Sequence, residues 1–169
     1  RETCGQCDLG VSRCDGDVFF CDYPPLPEGL IESCTTNVVY ISNSYDSFSS
    51  GTRTQPYKSL EAAIAGSSTD ARARLYVMQA GEHKNTSTHL DLVSGVSILG
   101  GYSTSWVYQP EEQTRLEFAG RPESRSYGLK VAGNTESAVL AHLDIRSDTP
   151  LEATLYTTPL YVENTSDLM

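Results

Sequence analysis

Past Cys34 the chain has no cysteine, and the whole sequence holds a single tryptophan and two methionines. Apolar runs are short as well: Val38–Ile41 and Ala62–Ala65 stop at four residues each. A membrane-spanning helix needs roughly 20 apolar residues, so no such span is expected. Positive charge is scarce, with 12 Lys and Arg against 22 Asp and Glu, and 12 − 22 leaves a formal charge of −10. The nearest approach to a basic cluster is Arg72 with Arg74. An acidic chain repels phosphate backbones and anionic lipid, which argues against nucleic-acid and membrane-surface roles. Also missing are a cofactor fingerprint, a Gly-rich phosphate loop and a complete catalytic constellation. No cofactor and no metal are therefore expected.

The cysteines that are present crowd into one end. Cys4, Cys7, Cys14, Cys21 and Cys34 fall in the first fifth of the chain, and Pro24, Pro25 and Pro27 stiffen the approach to a boundary near 35–37. Residues 1–36 read as a small module and residues 37–169 as a second unit. Some thirty residues cannot build a stable core unaided, so covalent staples are the expected remedy. Zinc would use Cys4-x-x-Cys7 as half a site. The later gaps of six, six and twelve residues offer no second close pair, and the histidines lie far downstream. Disulfides formed in an oxidising compartment are expected instead, with their pairing open. Five is an odd number, so one thiol is free, pairs outside the chain or has lost an upstream partner. The last is preferred, because Arg1 reads as a cut or processed end. The stretch from Cys4 to Gly16 resembles short Cys/Gly modules of secreted multidomain bacterial proteins.

After Asn37 the pattern becomes short strands broken by turns. Val38–Ser42, Arg74–Met78, Leu90–Leu92, Val96–Leu99, Arg115–Phe118, Gly128–Val131, Leu143–Ile145 and Leu160–Val162 are rich in β-branched and aromatic residues or alternate apolar with polar. Alternation buries one face of each strand. One helix is expected across Tyr57–Ala65, where Leu60, Ala63 and Ile64 recur at helical spacing and Gly66 suits the stop. Gly100-Gly101 reads as a sharp corner. Internal repetition is present: Leu129-Lys-Val131 aligns with Leu160-Tyr-Val162 at an offset of 31 residues, and His89-Leu-Asp-Leu92 echoes His142-Leu-Asp-Ile145. Units too small to hide their own apolar face must stack. The stretch Asp148–Thr158 is expected to loop out.

The order of strand, "SGTRTQPYKSLEAAIA", "LYVMQAGEH" and "VSGVSILGGYSTSW" is similar to the N-terminal end of pectin-lyase-like right-handed β-helices of bacterial surface proteins. The matching positions are Gly51, Thr52, Pro56, Tyr57, Lys58, Ser59, Leu60, Ala63 and Ile64. They continue with Leu75, Tyr76, Val77, Gly81, Gly95, Val96, Ser97, Ile98, Gly100, Gly101 and Tyr102. His83 departs from it, standing where an aromatic is commoner. The resemblance implies an all-β fold, a right-handed parallel β-helix whose first coils are capped by the helix. The chain is expected to continue in further coils.

Enzymes of that fold cut acidic polysaccharides with aspartates and a basic residue. Asp144 and Arg146, two apart on one strand face, are the best catalytic candidates here, and the bland reading of an exposed ion pair is preferred. Tyr102, Trp106 and Tyr108, with Tyr127 and Tyr161, are candidates for carbohydrate contact by stacking. Asp8, Asp15, Asp17 and Asp22 lack a full calcium-loop pattern. The sequons at Asn85 and Asn164 are expected to be unmodified. The expected role is a secreted or cell-surface scaffold, structural or adhesive. Its possible partners are carbohydrate, another surface protein or a second copy meeting the open solenoid end. The alternative is a polysaccharide lyase or glycoside hydrolase whose catalytic coils lie beyond Met169.

Overall fold

The computed structural model describes residues 3–4, 9–15, 18–22, 38–45, 49–67, 75–87, 89–92, 95–119, 126–132, 139–147 and 157–163. Among them the regular elements are β-strands apart from one short helix. Three strands near the start, β1 (Thr3–Cys4), β2 (Gly10–Asp15) and β3 (Val18–Asp22), form an antiparallel meander that the cysteine spacing did not announce. The side chain of Cys21 is half-buried and is not a free thiol. Side chains of the other four cysteines lie outside the described residues, as does the boundary expected near 35–37.

The remaining strands make three parallel sheets. Sheet I holds β4 (Val38–Ile41), β5 (Leu75–Gln79), β8 (Ser97–Tyr102) and β11 (Leu140–Ala141). Sheet II holds β6 (Gly81–Asn85), β9 (Thr114–Phe118) and β12 (Leu143–Ser147). Sheet III holds β7 (Leu90–Leu92), β10 (Ser126–Ala132) and β13 (Thr157–Glu163). From β5 onward the chain visits sheets I, II and III in turn, three times over, and from β8 onward each strand pairs with the one laid down a circuit earlier.

Interior and exterior follow from the side-chain period of two. Ile41, Tyr76, Met78 and Ile98 from sheet I meet Leu116 and Phe118 from sheet II and Leu90, Leu92 and Leu129 from sheet III in one apolar cluster. Helix α1 (Leu60–Ser67) adds Leu60 and Ala63, both fully buried, with Ile64 packed beside them. Ser59 caps the helix by accepting the Ala62 amide on its Oγ at 3.1 Å. The helix starts three residues later than the pattern suggested and runs through Gly66 to Ser67.

Sheet I is buried on both faces, unlike the one-sided burial that alternation implied. All of β5 and all of β8 are buried. The outward Leu75, Val77, Leu99, Tyr102 and Ala141 lie against Leu9 and Val11, which lead into and begin β2 of the meander. Burying two such side chains stabilises the docked state by about 1.5–3 kcal/mol each. The Tyr102 hydroxyl donates to the Leu9 carbonyl at 3.1 Å, fixing the contact.

Two local readings need correction. Gly100 and Gly101 lie within β8 and form a bulge, where the pairing slips from Val77↔Leu99 to Gln79↔Tyr102 and Gly101 takes φ +80°. The His89 and His142 echo does not stack, because Leu90–Leu92 lies in sheet III and Leu143–Ile145 in sheet II. The other repeat does stack, residue on residue, Leu129 on Leu160 and Val131 on Val162. Most of the expected loop at Asp148–Thr158 lies outside the described residues; Thr157 and Thr158 already belong to β13.

Candidate functional site

Asp144 and Arg146 do come together, on the outward face of sheet II. Asp144 Oδ2 accepts from Arg146 Nη2 at 2.8 Å and from Arg115 Nε on the neighbouring β9 at 3.2 Å. The register sets Glu82, Arg115 and Asp144 side by side across β6, β9 and β12, and Lys84, Glu117 and Arg146 beside them. Signs alternate in both directions across these six residues. Glu82 is bonded by Lys84 at 2.8 Å. The Arg146 guanidinium, with Arg115 behind it, holds the Asp144 carboxyl below its ordinary value, and Lys84 does the same for Glu82. A general acid needs the opposite shift, a carboxyl kept protonated near neutral pH. Asp144 is held as an anion between two cations. Among the described residues no three His, Cys, Asp or Glu side chains converge as metal ligands.

The aromatic candidates sit on the outer face of sheet I. Tyr102, Trp106 and Tyr108 are 1%, 7% and 2% exposed, so they offer no ring face for a sugar to stack on. Burial pushes the Tyr102 phenol, and less so that of Tyr108, upward from the ordinary tyrosine value. Trp106, at φ 63°, donates from Nε1 to the Arg53 carbonyl at 3.0 Å and meets the Tyr40 ring edge-on at 4.8 Å. The Tyr108 hydroxyl is bonded to His142 Nε2. These rings tie loops together. Side chains of Tyr127 and Tyr161 lie outside the described residues.

No family model, curated protein or solved structure matches this chain.

Gln79, Ser42 and Thr114, which the sequence did not single out, form a buried polar knot with His83 where sheet I turns into sheet II. Gln79 ends the apolar run of β5 with its side chain accepting from Ser42 Oγ at 2.6 Å and donating to the Thr104 carbonyl at 3.3 Å. Its own carbonyl accepts from Thr114 Oγ1 and from His83 Nε2, each at 2.9 Å. His83 is 2% exposed, and burial pushes its imidazole below the usual histidine value. The departure at His83 is thus an inward-facing side chain of β6. Asn85, the first sequon position, also points inward at 5% exposure and donates to the Glu117 carbonyl at 3.2 Å. Beside it, Thr86 and Ser87 donate to the Glu61 carboxylate of α1. Asn164 lies outside the described residues.

Proposed function

We propose that the three parallel sheets are the opening coils of a right-handed parallel β-helix, with α1 as the cap over its first coil. We infer further that the chain serves as a secreted or cell-surface scaffold, structural or adhesive, whose N-terminal module is stapled by disulfides. The observation that carries this reading is the outward face of sheet II. Asp144 is paired with Arg115 across the strands and with Arg146 along them, and Glu82 with Lys84, which suits a wet supporting wall. The covered aromatic face of sheet I agrees, since it holds the molecule together. Carbohydrate and other surface proteins remain the proposed partners, met through surfaces other than Tyr102, Trp106 and Tyr108.

Surface labelling tests the location. Intact cells producing the native protein are treated with a membrane-impermeant amine reagent, and modification of the chain is read by mass spectrometry. Labelling on intact cells supports the scaffold; labelling only after lysis overturns it. A panel of acidic glycans assayed for unsaturated products tests the activity. No product is expected, and product formation that Asp144→Asn abolishes would replace the scaffold reading with a lyase.

A further inference from the structure

His83 and Asn85 face the interior from the same side of β6, next to α1, and each keeps one buried atom without a hydrogen-bond partner among the described residues: His83 Nδ1 and Asn85 Oδ1. The protons already placed decide what those atoms want. His83 Nε2 faces the Gln79 carbonyl, which only accepts, so Nε2 carries the proton and Nδ1 presents a lone pair. Asn85 Nδ2 donates to the Glu117 carbonyl, which fixes the amide orientation and leaves Oδ1 as an acceptor. Two acceptors cannot bond each other. Residues two apart on one strand face are separated by about 6.6 Å along the chain. The O–H bonds of a water diverge at about 105°, so two acceptors it bridges stand about 4.4–4.7 Å apart, a separation that the His and Asn side chains can reach across that backbone spacing.

We propose that the interior beside the helix holds one small ligand with two donor hydrogens, a water molecule, bridging His83 Nδ1 and Asn85 Oδ1. Buried polar atoms in folded proteins are nearly all satisfied, by protein or by ordered water, and a site lined by two acceptors selects a double donor. The surrounding Leu116 and Phe118, both buried, keep bulk solvent out and make the bound molecule a fixed part of the wall. The polar exception in β6 thereby becomes a built site: histidine stands there because it can bond the Gln79 carbonyl with one nitrogen and the bound water with the other.

Nuclear magnetic resonance of the full chain, uniformly labelled with ¹⁵N, reads both halves of the proposal. Long-range proton–nitrogen spectra at neutral pH are expected to show His83 protonated on Nε2, with Nδ1 shifted as a hydrogen-bond acceptor. Cross-relaxation from a long-lived water to the Asn85 side-chain amide is expected in the same sample. A proton on Nδ1, or no water signal at Asn85, overturns the bridge. So does a signal from labelled ammonium, added to a parallel sample, that replaces the water signal. In His83→Phe, checked for native signal dispersion, the water signal at Asn85 should fall to background; its persistence at full strength would show that His83 does not hold the molecule.

Discussion

Trp106 occupies a left-handed backbone position, where a bulky side chain is strained by about 1–3 kcal/mol. The strain is offset by what the indole ties together: the Arg53 carbonyl, the Tyr40 ring and the outer face of sheet I. Trp106→Ala is expected to cost about 3–5 kcal/mol by loss of buried aromatic volume, read as a lower urea midpoint. Trp106→Phe keeps much of the ring and loses the Nε1 bond, a change of about 1 kcal/mol. Glu61 acts differently. The hydroxyl of Ser87, helped by Thr86, lowers its carboxyl below the ordinary value of 4.5 in the folded chain. Its contribution is therefore complete above that ordinary value and fades as the pH falls through the lower folded value. Glu61→Gln should destabilise the chain at neutral pH and make thermal stability less steep on the acid side; an unchanged acid limb would show that the contact carries no weight.

Helix α1 and the bulge of β8 show how local chemistry sets an element in place. Leu60→Ala opens a hole beside Ile41 and Met78 in the interior and is expected to cost about 2–5 kcal/mol, measured by denaturant unfolding. At Gly100 a Cβ would lie 2.4 Å from the His142 carbonyl oxygen, so Gly100→Ala forces the backbone of two circuits apart. A loss of about 1–3 kcal/mol is expected there, against little change for Ala80→Ser just after β5. The helix was legible because Leu60, Ala63 and Ile64 share one face at helical spacing. Strands β5 and β8 were legible from Leu75–Met78 and Val96–Leu99. By contrast β6, Gly-Glu-His-Lys-Asn, has no strand propensity, and its inward side chains are polar. The same blindness hid the buried knot at Gln79, His83 and Thr114, since a polar residue ending an apolar run looks like a loop. A pair of glycines reads as a corner whether it turns the chain or bulges a strand.

At the scale of the whole molecule, the meander completes a surface that sheet I cannot leave bare. Leu75, Val77, Leu99, Tyr102 and Ala141 form an apolar face whose cover includes Leu9 and Val11. A chain beginning at Asn37 is expected to bind a hydrophobic dye and to self-associate, seen as concentration-dependent mass in sedimentation. A monomeric, dye-silent product would show that the meander is an independent appendage. Nothing in the sequence pointed to this docking, because the two partners lie far apart in the chain and each pattern is complete by itself. Asp144 and Arg146 were legible as a pair, and strand register is what sets Arg115 against Asp144.

The alternating charges of sheet II act as a keyed edge. Among the described residues, strand β12 lies at one end of that sheet and would present Asp144 and Arg146 to any strand that paired with it. A cation then an anion, at the matching two positions, continues the pattern. A newcomer slipped by two residues sets acid against acid or base against base, and one slipped by one residue turns its apolar side chains to water. The wall would thus admit a neighbour in one alignment and turn the same segment away in the others.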